Sequence, residues 1–260
     1  MMFVRALLIV LAGAVAWLAA SPALAAKVSG RIVVTMEYRE ALAKAEEGAA
    51  EAGRDYYWNE PNGMVPVEPP RVDPSADLGV AIFQEGAEAT KPTSPVAVDI
   101  NSAGCNQNAI VVLPGAMVQF KNLEPFDHEL YAEKIPSFKP GRQSTDSVRP
   151  LDVPGEGIYE VRCKLMPHFK AYVVVAKALH IVKLGQDGSF VVDSLAPGKY
   201  TIKVFHNGAW VQEQKFDVGD VRETQIEVKL TVAGAAEAAK PEAGEEAGAK
   251  GKAKAGGKKR

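Results

Sequence analysis

Short alternating strands dominate the middle and the end of this chain, and they limit it to a mostly β fold. From Leu78 onward the runs "LGVAIFQ", "VAVDI", "NAIVVL", "AMVQFKN" and "HELYA" are rich in β-branched residues and are separated by Gly, Pro, Asn and Asp. In "GIYEVRC", Tyr159, Val161 and Cys163 share one face, and the two charged residues between them share the other. Strands at this spacing, with no helical periods between them, predict an antiparallel sandwich or barrel over 78–177.

A second, smaller β unit is predicted over 178–232. Its D-G, P-G and N-G turns separate alternating strands, such as the strand on which Tyr200, Ile202 and Val204 share a face. A unit of this size is marginal alone, and no Gly/Pro linker precedes it, so we expect it to pack tightly against the first one.

Ahead of these units, residues 26–77 indicate a strand, a helix and a proline-rich loop. "KVSGRIVVTM" is typical of a strand, and "EYREALAKAEEGAAEAG" has the high helix propensity of Ala, Glu and Lys. The apolar positions of this helix are mostly alanine, so we expect it to lie on a surface. "NEPNGMVPVEPPRVDPSAD" contains five prolines and no periodicity, which predicts a long loop.

The two ends of the chain have their own signatures. The positive Arg5, the apolar run over 6–20 and the "ALA" at 23–25 predict a signal peptide over 1–25 and therefore a periplasmic or secreted protein. From Ala233 the chain has no aromatic and no large aliphatic residue, which predicts a disordered tail. Its basic end, "KGKAKAGGKKR", either solubilises the protein or contacts an anionic envelope polymer or lipid surface weakly.

Composition and motifs exclude several classes of function. A formal net charge of −2 argues against a nucleic-acid partner, which calls for a strong basic excess. The sequence has no G-x-S-x-G, no H-E-x-x-H and no phosphate-binding glycine loop, and it has only four histidines. We therefore predict that the protein is not an enzyme.

Residues able to bind a metal are concentrated in "NLEPFDHEL" and "VRCKLMPHFKAYVVV". A blue-copper site combines two neutral imidazoles and one thiolate, often with a weak axial methionine. Such a site requires a histidine on one strand and, well downstream, a cysteine that ends a strand with a histidine in the following loop. His128, Cys163 and His168 occur in this order, and Met166 lies between the last two. We predict that these residues bind one copper ion, with Met166 as the axial ligand.

The same stretches carry a family resemblance. "NAIVVLPGAMVQFKNLEPFDHELY" and "PGEGIYEVRCKLMPHFKAYVVV" resemble the secreted cupredoxins of the plastocyanin and azurin class. The pattern G-x-F-x-x-x-x-L-x-P-G-x-Y, from Gly188 to Tyr200, is similar to a carboxypeptidase-regulatory-like β domain found fused to cupredoxin domains in secreted bacterial proteins. The resemblance implies a Greek-key sandwich, copper-based electron transfer or copper handling, and a redox or copper-handling protein partner.

The ligand loop departs from the family pattern. Close relatives read Cys-x-x-His-Pro-x-Met, whereas here Met166 stands at the position of that histidine, and Phe169 stands at the position of the methionine. The Cys-x4-His spacing of azurin-like members fits Cys163 and His168. In the other arrangement, Met166 binds the metal and His168 points away.

The second cysteine, Cys105 in "INSAGCNQN", opens alternatives to a copper site. Two cysteines in an exported chain are simply explained by one Cys105–Cys163 disulfide, which would remove the thiolate. The protein would then be a metal-free envelope binding or scaffold protein with a cupredoxin fold. A third alternative is that Cys163 is a free structural cysteine. Fold analogy alone raises a carbohydrate-binding role for the C-terminal β unit.

Overall fold

The structure, a computed structural model, describes residues 25–50, 69–87, 92, 94–101, 104–219 and 222–238. The predicted signal peptide up to residue 24, the proline-rich loop up to residue 68 and the tail beyond residue 238 lie outside the described residues. Among the helices described, none is long and apolar enough to cross a membrane.

The described part of the chain is mostly β, which confirms the predicted fold class. Its strands are β1 (Ala26–Val33), β2 (Leu78–Phe83), β3 (Val96–Asn101), β4 (Gly104–Cys105), β5 (Ala109–Val112), β6 (Met117–Asn122), β7 (His128–Tyr131), β8 (Gly141–Gln143), β9 (Val148–Asp152), β10 (Gly157–Cys163), β11 (Lys170–Val175), β12 (His180–Val182), β13 (Ser189–Leu195), β14 (Gly198–His206), β15 (Ala209–Val218) and β16 (Glu223–Lys229). Its helices are α1 (Met36–Ala50), α2 (Pro74–Asp77) and α3 (Val232–Ala238).

Strands β3 to β11 form one sandwich, here called the insert sandwich. Its two sheets have the orders β5-β11-β10-β7-β8 and β4-β3-β6-β9. Their inward faces share one apolar core, which contains Phe120, Leu130, Val161, Cys163 and Phe169. Most strand pairs are antiparallel, as predicted, but β5 runs parallel to β11 and β3 runs parallel to β6. The chain passes repeatedly from one sheet to the other, so a strand's neighbour in its sheet is often not its neighbour in sequence.

The remaining strands form a second sandwich, here called the host sandwich. Its sheets have the orders β13-β1-β16 and β12-β2-β14-β15. Strand β1 lies between β13 and β16, and β2 lies between β12 and β14. The two N-terminal strands are therefore central strands of the C-terminal unit.

This pairing corrects the predicted boundaries at residues 26–77, 78–177 and 178–232. The host sandwich is formed by segments that precede and follow the insert sandwich in the sequence. The insert therefore begins after β2, and the unit predicted over 178–232 is incomplete without residues 26–83. The strand patterns of β1 and β2 were recognisable, but a single strand's alternation does not specify its partner strand.

Two further expectations about helices are wrong. We expected the Ala/Glu-rich helix to lie on a surface, but α1 buries Tyr38 and Leu42 in the core of the host sandwich, with 0% and 2% of their surface exposed. The predicted disorder from Ala233 is wrong over 233–238, where α3 forms and buries Ala235 and Ala238 in the same core; the rest of the predicted tail lies outside the described residues. Because α3 packs against β15 and α1, small alanine side chains suffice to fill the space between elements in close contact.

The two sandwiches meet through a third apolar cluster. This agrees with the tight packing that we expected because no Gly/Pro linker separates the units. It joins Ala81 of β2 and Phe205 of β14 to Val111, Tyr172 and Val174 of the insert sandwich. Tyr172 and Phe205 are in edge-to-face contact, with ring centroids 5.6 Å apart. The relative position of the two units is thereby fixed by buried side chains.

Candidate metal centre

His128 and Cys163 lie at the same end of the insert sandwich because of strand register. Strand β7 begins at His128 and pairs antiparallel with β10, which ends at Cys163. Cys163 is opposite Leu130 in this pair, so the sulfur and the imidazole both face the core at the point where β10 gives way to a loop.

The two side chains are close and buried. Cys163 Sγ lies 3.7 Å from His128 Nδ1, and the exposed fractions are 3% for Cys163 and 0% for His128. The backbone N–H of Glu129 donates a hydrogen bond to the same sulfur, at 3.3 Å.

The other imidazole nitrogen is held by an acidic side chain. His128 Nε2 lies 2.8 Å from Glu124 Oε2, and Glu124 is 6% exposed. A carboxylate only accepts hydrogen bonds, so Nε2 is the donor and a neutral ring has its lone pair on Nδ1, the nitrogen next to Cys163. This is how an outer carboxylate orients a metal-binding histidine.

A buried polar network fixes the position of Glu124. Asn122 donates to the carbonyls of Phe126 and Gln143, and its side-chain oxygen accepts from the backbone N–H of Glu124. The Thr145 hydroxyl donates to the Glu124 carbonyl. Among the described residues, the buried polar and charged side chains are Asn122, Glu124, His128, Gln143 and His206, so four of the five surround this site. Because burying polar groups is costly, their concentration here marks this end of the sandwich as specialised.

The loop after Cys163 places the other predicted ligands differently. The Phe169 N–H donates to the Met166 carbonyl at 3.0 Å, which closes a turn with Pro167 and His168 at its two central positions. Met166 is half-buried and packs against the core that contains Cys163. His168, at the outer part of the turn, is exposed.

Phe169 occupies the space next to His128. It is buried, and its ring centroid lies 5.9 Å from that of the imidazole. The predicted set of His128, Cys163, His168 and Met166 is thus partly assembled: two residues meet, Met166 packs against the same core, and His168 stays outside. In the part of the chain described, no three His, Cys, Asp or Glu side chains converge in a way that would hold a metal.

The alternative of a Cys105–Cys163 disulfide is wrong. Both cysteines are free, and Cys105 lies on β4, paired with Ile100 at the edge of the other sheet. Burial raises the pKa of the Cys105 thiol to about 12, which keeps it protonated at neutral pH. The sequence spacing of two cysteines does not supply the distance between them in space.

Sequence reasoning missed the role of Glu124. The residue was visible in "NLEPFDHEL", four positions before His128. A glutamate beside a proline in a polar loop is typical of a solvated side chain, so the pattern gave no sign of burial.

The donors fit a soft metal ion. Sulfur and imidazole ligands bind at ~2.3 Å and ~2.0–2.1 Å, so two such atoms on one ion lie at most ~4.4 Å apart. The 3.7 Å separation of Sγ and Nδ1 is within that limit. Thiolate and thioether ligands suit Cu(I), zinc and iron–sulfur clusters, and imidazole suits copper and zinc as well.

Solved structures similar to part of this chain include amicyanins. A reduced amicyanin mutant is 20% identical and covers 38% of this chain and 99% of its own, with a TM-score of 0.30. Amicyanin from Paracoccus versutus (Thiobacillus versutus) is 20% identical, covers 37% of this chain and 97% of its own, and has a TM-score of 0.30. The Cu(I) form of another amicyanin mutant is 19% identical and covers 38% and 99%, with a TM-score of 0.28. Such similarity concerns the β fold and assigns no ligand to this chain.

No protein-family model matches the chain, and no curated protein matches it.

Proposed function

We propose that this protein is an exported, non-enzymatic copper protein that binds one copper ion between Cys163 and His128. The observation that carries the proposal is the buried pair of Sγ and Nδ1, 3.7 Å apart, with the second imidazole nitrogen held by Glu124. Copper bound there would supply one-electron transfer or serve as cargo in copper handling.

Each residue of the pair has a separate task. The Glu129 N–H, which donates to the sulfur of Cys163, holds this metal ligand in place, and the low exposure of Cys163 shields it from solvent. Glu124 keeps the imidazole ring in the orientation and tautomer that present Nδ1. Met166 supplies a thioether beside the same core, which favours the reduced, softer copper ion.

Copper titration tests the proposal directly. The mature chain, with its thiols reduced beforehand and the reductant removed, should retain one equivalent of added Cu(II) after desalting and show sulfur-to-copper charge-transfer absorption. Cys163→Ser should abolish both signals, whereas Cys105→Ser, which changes the cysteine of β4, should leave them unchanged. If the wild-type protein retains no copper, or if Cys163→Ser retains as much as wild type, the proposal is wrong.

One observation favours a second function, a metal-free scaffold with the same fold. Phe169 packs against His128, and His168 lies outside the site, so the centre resembles a filled apolar core. For a scaffold, Cys163→Ala would change only stability, and copper would not raise the melting temperature of the wild-type protein. A copper-dependent rise that is lost in Cys163→Ser favours the first function.

Export and partners belong to the same proposal. The N-terminal pattern leads us to propose cleavage after Ala25, which N-terminal sequencing of the protein from a periplasmic fraction tests. A redox or copper-handling protein would be the partner of a copper centre at this end of the sandwich.

A further inference from the structure

A cavity of about 460 Å³ lies where the two sandwiches meet, outside the candidate metal centre. Its lining includes five consecutive residues of and after β5, 109–113, and four consecutive residues of and after β12, 181–184. Because side chains of a strand alternate between its two faces, a cavity against one face would contact every second residue. This cavity therefore lies along the edges of the two strands, where the main-chain N–H and C=O groups are.

The edge of β5 that faces the cavity is open. Strand β5 is the outer strand of its sheet and pairs with β11 alone among the described strands. The N–H of Ala176 donates to the carbonyl of Val112, so the even-numbered residues of β5 are those that bond to β11. Ala109 and Val111 therefore direct their N–H and C=O groups to the other edge, where no described strand pairs with them.

The host sandwich also opens toward the cavity. Strand β2 pairs with β14 over 78–83 but with β12 only over 80–82. Strand β12 has therefore separated from β2 at Leu78 and Gly79, and both residues line the cavity. A Cβ at Gly79 would lie 2.3 Å from Cγ2 of Val111, so β2 and β5 are in close contact beside the cavity.

The walls between these open edges are mostly apolar and continue the contact between the two sandwiches. Four residues line the cavity and also belong to the apolar cluster that joins the sandwiches: Ala109, Val111, Leu113 and Ile181. Apolar side chains that enter the cavity would extend this cluster and leave water. Within the described lining, Lys183 is the one charged side chain, and it is exposed.

We propose that this cavity binds an extended peptide segment of a partner protein, which adds a strand to the open edge of β5. Ala109 and Val111 are two residues apart, so their main-chain groups repeat at ~6.6 Å, the repeat that an extended main chain matches. A small apolar molecule would contact the walls but leave these groups unpaired. The segment has about five residues, with β-branched side chains toward the walls and an acidic side chain beside Lys183.

Amide hydrogen exchange of the mature chain, followed by NMR with the peptide Ac-DVTVT-NH2 as the probe, tests this site. The peptide should slow exchange of the Ala109 and Val111 N–H groups ~10-fold or more, because each gains an acceptor. The N–H groups of Ile110 and Val112 already bond to β11 and should gain much less protection. Two further peptides, N-methylated at alternate amides on one edge or on the other, keep the apolar surface. The one that loses its donors to β5 should bind ~10-fold or more weakly.

Matched variants of the chain separate the main-chain contact from the charge preference. Ala109→Pro removes an N–H at the first residue of β5, where proline is tolerated, and should weaken peptide binding ~10-fold. Ala109→Ser keeps that N–H and should bind within about twofold of the wild type. Lys183→Glu should reverse the preference for Ac-DVTVT-NH2 over Ac-KVTVT-NH2, whereas Lys199→Glu, which changes an exposed lysine of β14, should not.

The proposal is overturned by any of four results, and all four are read on the wild-type chain. The first is the absence of saturable amide shifts up to ~1 mM peptide. The second is equal protection of the Val111 and Val112 N–H groups by the peptide. The third is equal binding of the unmodified peptide and both N-methylated peptides, which would assign the cavity to small apolar ligands. The fourth is full protection of the Ala109 and Val111 N–H groups without peptide, which would mean that another part of the chain covers this edge.

Discussion

Glu124 Oε2 lies 2.8 Å from His128 Nε2, and neither residue is more than 6% exposed. The imidazole depends on this acid, because within the described residues His128 Nε2–H would otherwise be a buried donor without an acceptor. The pair therefore links the stability of the insert sandwich to the orientation of the nitrogen beside Cys163.

Replacing Glu124 should affect stability and copper binding together. Glu124→Ala leaves the buried His128 Nε2–H without an acceptor, which should lower the free energy of unfolding by ~1–3 kcal/mol in urea titrations. Glu124→Gln keeps an acceptor and should cost less. Both should weaken copper binding ~10–100-fold in competition with a chelator, as for other outer carboxylates. Glu129→Ala is the control, since Glu129 contacts the sulfur through its backbone; an equal loss there would contradict this account.

His168 and Met166 should respond in opposite ways to substitution. His168 is exposed in the turn that the Phe169 N–H closes. His168→Gln should therefore leave copper affinity within about twofold of the wild type, which is much less than the tenfold loss that ~1.4 kcal/mol of binding energy would produce. Met166 packs against the core of the site, so Met166→His adds an imidazole beside Cys163 and should raise affinity ~10-fold or more. Chelator competition measures both. A large loss in His168→Gln would mean that the turn rearranges around the metal.

The side chain of Asn122 should contribute strongly to the stability of the loop before His128. It is fully buried and takes part in three hydrogen bonds, to Phe126, Gln143 and Glu124. Asn122→Ala should therefore lower the free energy of unfolding by ~2–4 kcal/mol, on the scale of ~1 kcal/mol for each bond. Asn106→Ala removes one exposed bond to the Asp99 N–H and should cost less than ~1 kcal/mol. Equal losses in urea unfolding would contradict the structural role of Asn122.

Local patterns predicted the elements of this fold but not their partners. The alternation in "GIYEVRC" correctly placed Cys163 on an inward face, because period-two patterning is a property of one strand. The position of β1 between β13 and β16 depends on residues far apart in sequence, and no pattern in "KVSGRIVV" identifies those partners.

The candidate site, like the fold, was only partly predictable from local patterns in the sequence. The order of His128 and Cys163 along the chain predicted that they would meet, and their side chains do lie together. The exposure of His168 depends on a turn closed by a single backbone hydrogen bond, and the burial of Glu124 depends on Asn122 and Thr145 across the loop. Neither contact leaves a periodic signal in the sequence.

Gly188 tests whether β1 belongs to the host sandwich. Its φ is 78°, and a Cβ there would lie 2.3 Å from the Ile32 carbonyl oxygen of β1. Gly86 has a similar φ of 75° but open space around it, so it serves as the matched control. Gly86→Ala should cost ~1–2 kcal/mol from backbone strain alone. Gly188→Ala should cost ~1–3 kcal/mol more, because it also forces β1 away. Equal costs in thermal or urea unfolding would mean that β1 does not pack there.

Acid should destabilise the protein through His206. Burial lowers its pKa to about 4, with Lys170 lowering it further and Asp77 opposing the shift, while in the unfolded chain the ring titrates near ~6.5. Between these values the unfolded state binds more protons than the folded state, so the free energy of unfolding rises with pH across this window. The contribution of His206 is fully present above pH ~6.5 and is lost as the pH falls toward 4, by up to ~3 kcal/mol.

The comparison with His206→Gln isolates this effect from the carboxylates, which titrate in the same range. Glutamine has no charge to gain, so the variant should show a shallower dependence of unfolding free energy on pH between 4 and 6.5. His180→Gln changes a histidine that is more exposed than His206, and it should keep most of the wild-type slope. Parallel curves for wild type and His206→Gln would mean that His206 is protonated as easily in the folded protein as in the unfolded chain, which would contradict its enclosure by Tyr38 at the junction of the two sandwiches.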